Sequence, residues 1–112
     1  AEFATIGKAL ASPHRLELLD LLAQGARSVE ELAREAHLSL PNASAHLQVL
    51  RRARLVEGEK RGNHVVYRLA GPDVFELWRT LRDLGQSRLA EVDRLVERVE
   101  ARAQAHGIRL RR

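Results

Sequence analysis

Apolar residues return every three or four positions through most of the chain, and the pattern divides into five helical stretches and one pair of strands. Phe3, Ile6 and Leu10 predict a short amphipathic helix over residues 2 to 10, closing near Ala11. Ser12 and Pro13 restart the chain, because serine caps a helix and proline is tolerated in its first turn. The second helix, about 13 to 24, carries Leu16, Leu18, Leu19, Leu21 and Leu22 on more than one stripe, as a helix packed on two sides requires; Gly25 stops it. Ser28 with Glu31 forms a capping box for a third helix, whose inner residues are Val29, Leu32, Ala33 and Ala36. After His37 and Leu38, the run Ser39, Leu40, Pro41 opens a fourth helix reaching about Ala53. Ala43, Leu47 and Leu50 face its core side, leaving Pro41, Asn42, Ser44, Ala45 and Gln48 toward solvent.

The period then changes. Residues 56 to 60 and 65 to 69 read as two strands joined through Arg61, Gly62, Asn63 and His64, a β-hairpin with a basic tip. Gly71 and Pro72 punctuate, and from Asp73 to about His106 the helical pattern resumes. Val74, Leu77, Trp78, Leu81 and Leu84 are followed by Leu89, Val92, Val96 and Val99 along one side. Gly85 is where this helix is expected to bend or weaken. No internal repeat or low-complexity segment interrupts the order.

Composition narrows the class. A chain of 112 residues fits one domain, taken as residues 1 to 106, with 107 to 112 as a basic tail expected to be disordered. Apolar residues at 45% against 30% charged are a folding balance. No apolar run approaches the roughly 20 residues of a membrane span, and no basic-then-apolar leader opens the chain, so the expected location is the cytoplasm with no membrane partner. Cysteine and methionine are absent, which removes disulfides, thiolate and thioether ligands and thiol nucleophiles.

The net charge of +4 is unevenly spread. Residues 1 to 38 hold four bases against six acids, residues 39 to 69 six against two, and residues 70 to 112 nine against seven. The basic middle third therefore coincides with the fourth helix and the hairpin. Two short helices joined by a tight turn and followed by a hairpin are the parts of a winged helix-turn-helix, mainly α with a small β-hairpin and about five helices. The fourth helix is the candidate reader of a DNA major groove. Ser39, Asn42, Ser44, Ala45, His46 and Gln48 lie toward base edges, and Arg51, Arg52, Lys60, Arg61, Asn63 and His64 toward phosphates or the minor groove. His46 lies between the apolar and exposed faces, where a core-edge hydrogen bond and a DNA contact are both open. The long last helix cannot bury its stripe within so small a domain, so a two-fold homodimer through the first and last helices is expected. Its candidate residues are Phe3, Ile6, Leu10, Leu77, Leu81, Leu84, Leu89 and Val92.

The ordered segments KALASPHRLELLDLL, SVEELAREAHLS, PNASAHLQVLRRARLV and VVYRL closely resemble the ArsR/SmtB family of dimeric bacterial repressors, over roughly residues 3 to 84. The resemblance implies that the helix opening near Ser39 reads operator DNA, that the hairpin is the wing, and that the first and last helices form the dimer. ASPHRLELLDLLAQG and RLAEVDRLVERV are particularly similar to members in which a rhodanese-type sulfur-transfer domain follows. No such domain fits after residue 106, which leaves a free-standing relative or a fragment. The chain departs from metal-sensing members in lacking their cysteine motif and the Asp and His spacing of the last helix, so no metal or other cofactor is expected. It also has His37 and Arg54 where the family has glycine in a left-handed turn, and Ala45 where arginine is common. Those turns are therefore expected to be strained or altered. Sequence-specific DNA binding as a repressor, with double-stranded operator DNA as partner and an unidentified small-molecule inducer, is the leading reading. A protein-interaction module that keeps the fold but binds another regulator is the alternative. No constellation of nucleophile, base and carboxylate suggests an enzyme.

Overall fold

Three serines fix where the central helices begin. In the computed structural model, which describes residues 2 to 107, Ser12, Ser28 and Ser39 each stand in extended backbone one residue before a helix. Each hydroxyl accepts from the amide three residues on: Arg15 at 3.3 Å, Glu31 at 3.2 Å and Asn42 at 3.2 Å. Those amides would otherwise be orphaned. Glu31 returns the favour, its carboxylate accepting from the Ser28 amide at 3.2 Å and closing the expected capping box.

The helices are α1 (Glu2–Leu10), α2 (Pro13–Ala23), α3 (Val29–Glu35), α4 (Leu40–Arg52) and α5 (Pro72–Ala105). Three antiparallel strands, β1 (Arg27–Ser28), β2 (Val56–Arg61) and β3 (His64–Leu69), form a sheet in the order β1-β3-β2. The register pairs Arg61 with His64, so the hairpin turns through Gly62 and Asn63 alone, one residue tighter on each side than the sequence pattern suggests. Gly62 at φ 60° supplies the positive φ of a two-residue turn with glycine in first place. The short β1, paired through Arg27 with Tyr67 and Ser28 with Val66, is an addition to the expected hairpin.

α3 and α4 end alike. His37 and Arg54 occupy the left-handed region at φ 56° and 62°. Beyond them Leu38 donates to the Ala33 carbonyl at 2.8 Å and Leu55 to that of Leu50 at 3.0 Å. His37 donates to Arg34 at 3.3 Å and Arg54 to Arg51 at 2.9 Å, which completes the paired bonds of a Schellman stop in both helices. The left-handed turn expected at these positions is thus kept without glycine, and the strained outcome holds.

The chain divides into two compact units, residues 1 to 78 and 79 to 112. In the first, Leu18, Leu32, Leu47 and Leu50 are fully enclosed, with Leu19, Leu22, Leu55, Val56, Tyr67 and Val74 around them. Leu77 and Trp78, at the start of α5, pack partly against this core, as do Ile6 and Leu10. The second unit is the rest of α5, which runs unbroken through Gly85. Leu84, Leu89, Val92, Leu95, Val96 and Val99 are all exposed on it. Of the tail placed at 107 to 112, only Gly107 lies within the described residues.

Candidate nucleic-acid interface

The buried stripe of α4, Ala43, Leu47 and Leu50, determines which residues of that helix face outward. Pro41, Asn42, Ala45, Gln48, Arg51 and Arg52 are exposed, and Ser44 and His46 are half-buried. Ser39, also exposed, spends its hydroxyl on the helix cap. The outer face is thus small and polar over the first two turns and basic in the last. Arg51 and Arg52 sit where they also complement the helix dipole.

Lys60, Arg61, Asn63 and His64 are exposed together around the hairpin turn, as expected from the sequence. Their charge is not free of counter-charge. Arg61 meets Glu59 at 3.4 Å, and Arg68 meets Glu57 at 2.9 Å and Glu59 at 3.6 Å. His64 lies 3.5 Å from Glu30 at the start of α3. Glu30 is held below the usual carboxylate range, chiefly by a backbone hydrogen bond and in lesser part by His64. Exposed pairs of this kind contribute little to stability, and any anion approaching the wing's cations would have to compete with them.

Four residues not singled out by pattern position the site. Arg15 bridges three helices: its Nε donates to the Ala9 carbonyl at 2.7 Å, one terminal nitrogen to Lys8 at 3.0 Å, and the other to His46 Nδ1 at 3.2 Å. The signal for it was present, since a cation in the first turn of a helix opposes the local dipole and needs a separate reason. Its reason is the C-terminus of α1. The hydroxyl of buried Tyr67 receives the Gln48 amide at 3.4 Å, tying β3 to the exposed face of α4. Arg27 anchors β1, pairing with Glu35 at 2.7 Å and donating to the Gly25 carbonyl at 2.8 Å and to that of Leu21. Glu30, named above, receives the wing histidine. Tyr67 alternates with Val65 and Leu69 and so reads as an inward strand residue, but its bond to Gln48 and the contacts of Arg15, Arg27 and Glu30 follow no apolar spacing, so periodicity could not find them.

The expected dimer residues fall into two sets. Ile6, Leu10 and Leu77 pack in part on the core, whereas Phe3, at 91% exposure, and Leu81, Leu84, Leu89 and Val92 are exposed. A groove of about 480 Å³ lies between α1, the end of α4 and the start of α5, with Thr5, Ile6, Arg52, Arg54, Leu55 and Val74 among its walls. Trp78, part of the apolar stripe read from the sequence, stacks obliquely on Phe75 beside the core. No group of three metal-ligating side chains occurs among the described residues. No helix among them is long and apolar enough to cross a membrane.

The family model described as bacterial regulatory protein, arsR family, matches residues 12 to 58, which run from the cap of α2 into β2. Among solved structures, the homodimeric winged helix-turn-helix DNA-binding domain of Mb0332 from Mycobacterium bovis, a possible ArsR-family transcriptional regulator, is similar at 42% identity and a TM-score of 0.77. That match covers 80% of this chain and 83% of the domain. The chain belongs to the arsR family. Its ArsR fold is therefore one shared with transcriptional regulators. The HTH-type transcriptional regulator Rv0324 of Mycobacterium tuberculosis is 44% identical over 91 residues, which span 81% of this ArsR chain and 40% of that relative. The HTH-type transcriptional repressor SmtB of the same organism is 41% identical over 63 residues, 56% of this chain and 47% of that protein.

Proposed function

We propose that this ArsR-family chain is a cytoplasmic repressor that binds a palindromic operator as a homodimer, residues 1 to 106 acting together as the DNA-binding and dimerisation domain. Ser39, Asn42, Ser44, Ala45, His46 and Gln48 face the bases of one half-site, while Arg51, Arg52, Lys60, Arg61, Asn63 and His64 meet the backbone or the minor groove. Two-fold symmetry sets the two reading helices about 34 Å apart, one turn of DNA. The observation that carries this reading is the most basic segment, residues 39 to 69, in which an exposed polar helix face and an exposed basic turn occur together. The repressor role draws on that of the SmtB repressor, and the dimer on the homodimeric M. bovis domain.

Mobility shift against the DNA flanking the chain's own gene tests it. Binding is expected at low salt, weakening about a thousandfold or more between 50 and 200 mM salt if six or more phosphates are neutralised. No shift at low salt overturns the reading, and capture of a regulator protein in its place would favour the interaction-module alternative. An unidentified small-molecule inducer completes the proposal, with the groove beside α1 and α5 as its place, because occupancy there touches the end of α4. The likeness to rhodanese-bearing members rests on the wording of α2 and of the second half of α5, and reading the gene to its stop codon decides it.

A further inference from the structure

His46 sits one helical turn beyond Asn42 and two beyond Ser39, on the same side of α4. Its Nδ1 lies 3.2 Å from an Arg15 nitrogen. A guanidinium has donors only and does not lose its proton, so Nδ1 must accept, and the ring's proton must therefore reside on Nε2. Arg15 cannot turn away freely, because its other nitrogens are committed to the Ala9 and Lys8 carbonyls. The groups facing the ring are Arg15 and His14, whose ring centroid lies 5.5 Å away, both from α2. Burial first, then the charges of Arg15 and His14, keep the imidazole neutral by lowering its pKa. Among the described residues no buried side-chain nitrogen or oxygen lacks a partner, and the ring's one bond is through Nδ1. Nε2 is therefore not sealed from solvent, and His46 is half-buried between the exposed residues Ala45 and Gln48 of α4 and its core side.

We infer that Arg15 locks His46 in the Nε2-protonated tautomer, making His46 a neutral, one-directional hydrogen-bond donor to an acceptor atom of the DNA, and making Arg15 the positioning residue for that contact. The inference rests on the DNA-binding reading above. It adds a polarity that residue type alone does not give. A free histidine offers either a donor or an acceptor, whereas this one can meet purine N7, guanine O6, thymine O4 or a phosphate oxygen and is mismatched to the cytosine amino group.

Nitrogen NMR of the free protein reads the tautomer directly. The Nε2-protonated form is expected in the wild type and in Arg15→Lys, which keeps a donor, and a mixture of both forms in Arg15→Met. A proton on Nδ1 in the wild type overturns the inference. The contact is read on duplexes that the wild type selects from a randomised pool, re-synthesised with one acceptor removed at a time. 7-Deazapurines, 2-aminopurine in place of guanine and 4-thiothymine probe the bases, and methylphosphonates probe the phosphates. One substitution per half-site is expected to weaken the wild type about tenfold and to leave His46→Asn unchanged. His46→Gln, whose amide donates at a reach like that of Nε2, should lose less than His46→Asn, and guards against a folding defect in the latter. If no single acceptor separates wild type from His46→Asn, the contact does not exist. Should the wild type select no duplex at all while showing the Nε2-protonated ring, the DNA-binding reading fails and the tautomer lock alone survives.

Discussion

His37 and Arg54 are held in left-handed backbone at the stops of α3 and α4, where a side chain's Cβ crowds the following carbonyl at roughly 1 to 2 kcal/mol per residue. Glycine removes that crowding but gives the unfolded chain more freedom, so His37→Gly and Arg54→Gly are each expected to gain only about 0.5 to 1 kcal/mol. Arg54→Val, which is β-branched, should lose stability instead; urea midpoints at constant slope measure both. A second residue-scale expectation concerns pH. The folded state lowers the His46 pKa below its unfolded value of about 6.5, so the unfolded chain binds the proton more readily. The stabilisation is complete above about pH 6.5 and declines as pH falls toward the folded pKa. Glu30 and Glu31, whose pKa values are lowered by hydrogen bonds and small charge effects, lose their contribution only below the usual carboxylate range. Urea melts at pH 7.5 and 5.5 should therefore differ in the wild type by an increment that disappears in His46→Asn. The residue scale is also where the sequence said least. The left-handed turns were legible because a resemblance marked them, whereas Arg15 and Tyr67 act through contacts with residues 31 and 19 positions away; a first-turn cation flags Arg15, but no local pattern names either partner.

At the scale of elements most of the architecture was legible, because serine caps and apolar spacing are local signals. α1 coincides with its expected span, and α3 and α4 open where Ser28 and Ser39 cap them. β1 escaped because two residues cannot show a period, and it exists only through β3. The wing illustrates how an element is tuned by packing. Gly58 of β2 faces Tyr67 across the pair, and a Cβ added there would come within 3.1 Å of the ring's Cε1 and Cζ. Tyr67 is 3% exposed and holds Gln48, so it has little room to yield. Gly58→Ala is expected to cost about 1 to 3 kcal/mol and to loosen the Gln48 contact. Gly85 is the opposite case: α5 is continuous through it, and an added Cβ would meet nothing within 4 Å. Gly85→Ala should therefore stabilise α5 by about 1 kcal/mol, read as slower amide exchange along that helix.

For the molecule as a whole, the unsettled account is apolar surface. Leu89, Val92, Val96, Val99 and Ala103 recur at alternating spacings of three and four, the seam of a helix meant to pair with another helix. Leu89 is 65% exposed and Val92 52%, and each side chain fully buried contributes roughly 1.5 to 3 kcal/mol. A sequence of that period suits association through this helix, but it does not specify the partner, because the periodicity belongs to one helix and the complementarity to two. If the seam belongs to the proposed homodimer, a charge in its middle acts at a distance on DNA binding. Leu89→Glu buries an uncompensated carboxylate twice in a two-fold interface, so the dimer should dissociate while the first unit, whose core does not include Leu89, keeps its fold. Each monomer would then hold one half-site without the entropic help of its mate, and operator affinity should fall at least a hundredfold, with a smaller change for non-specific DNA. Sedimentation and mobility shift, run on the same preparation, decide the matter. A Leu89→Glu protein that remains dimeric with unchanged operator affinity would move the interface off the second half of α5 and onto Phe3, Leu81 and their neighbours.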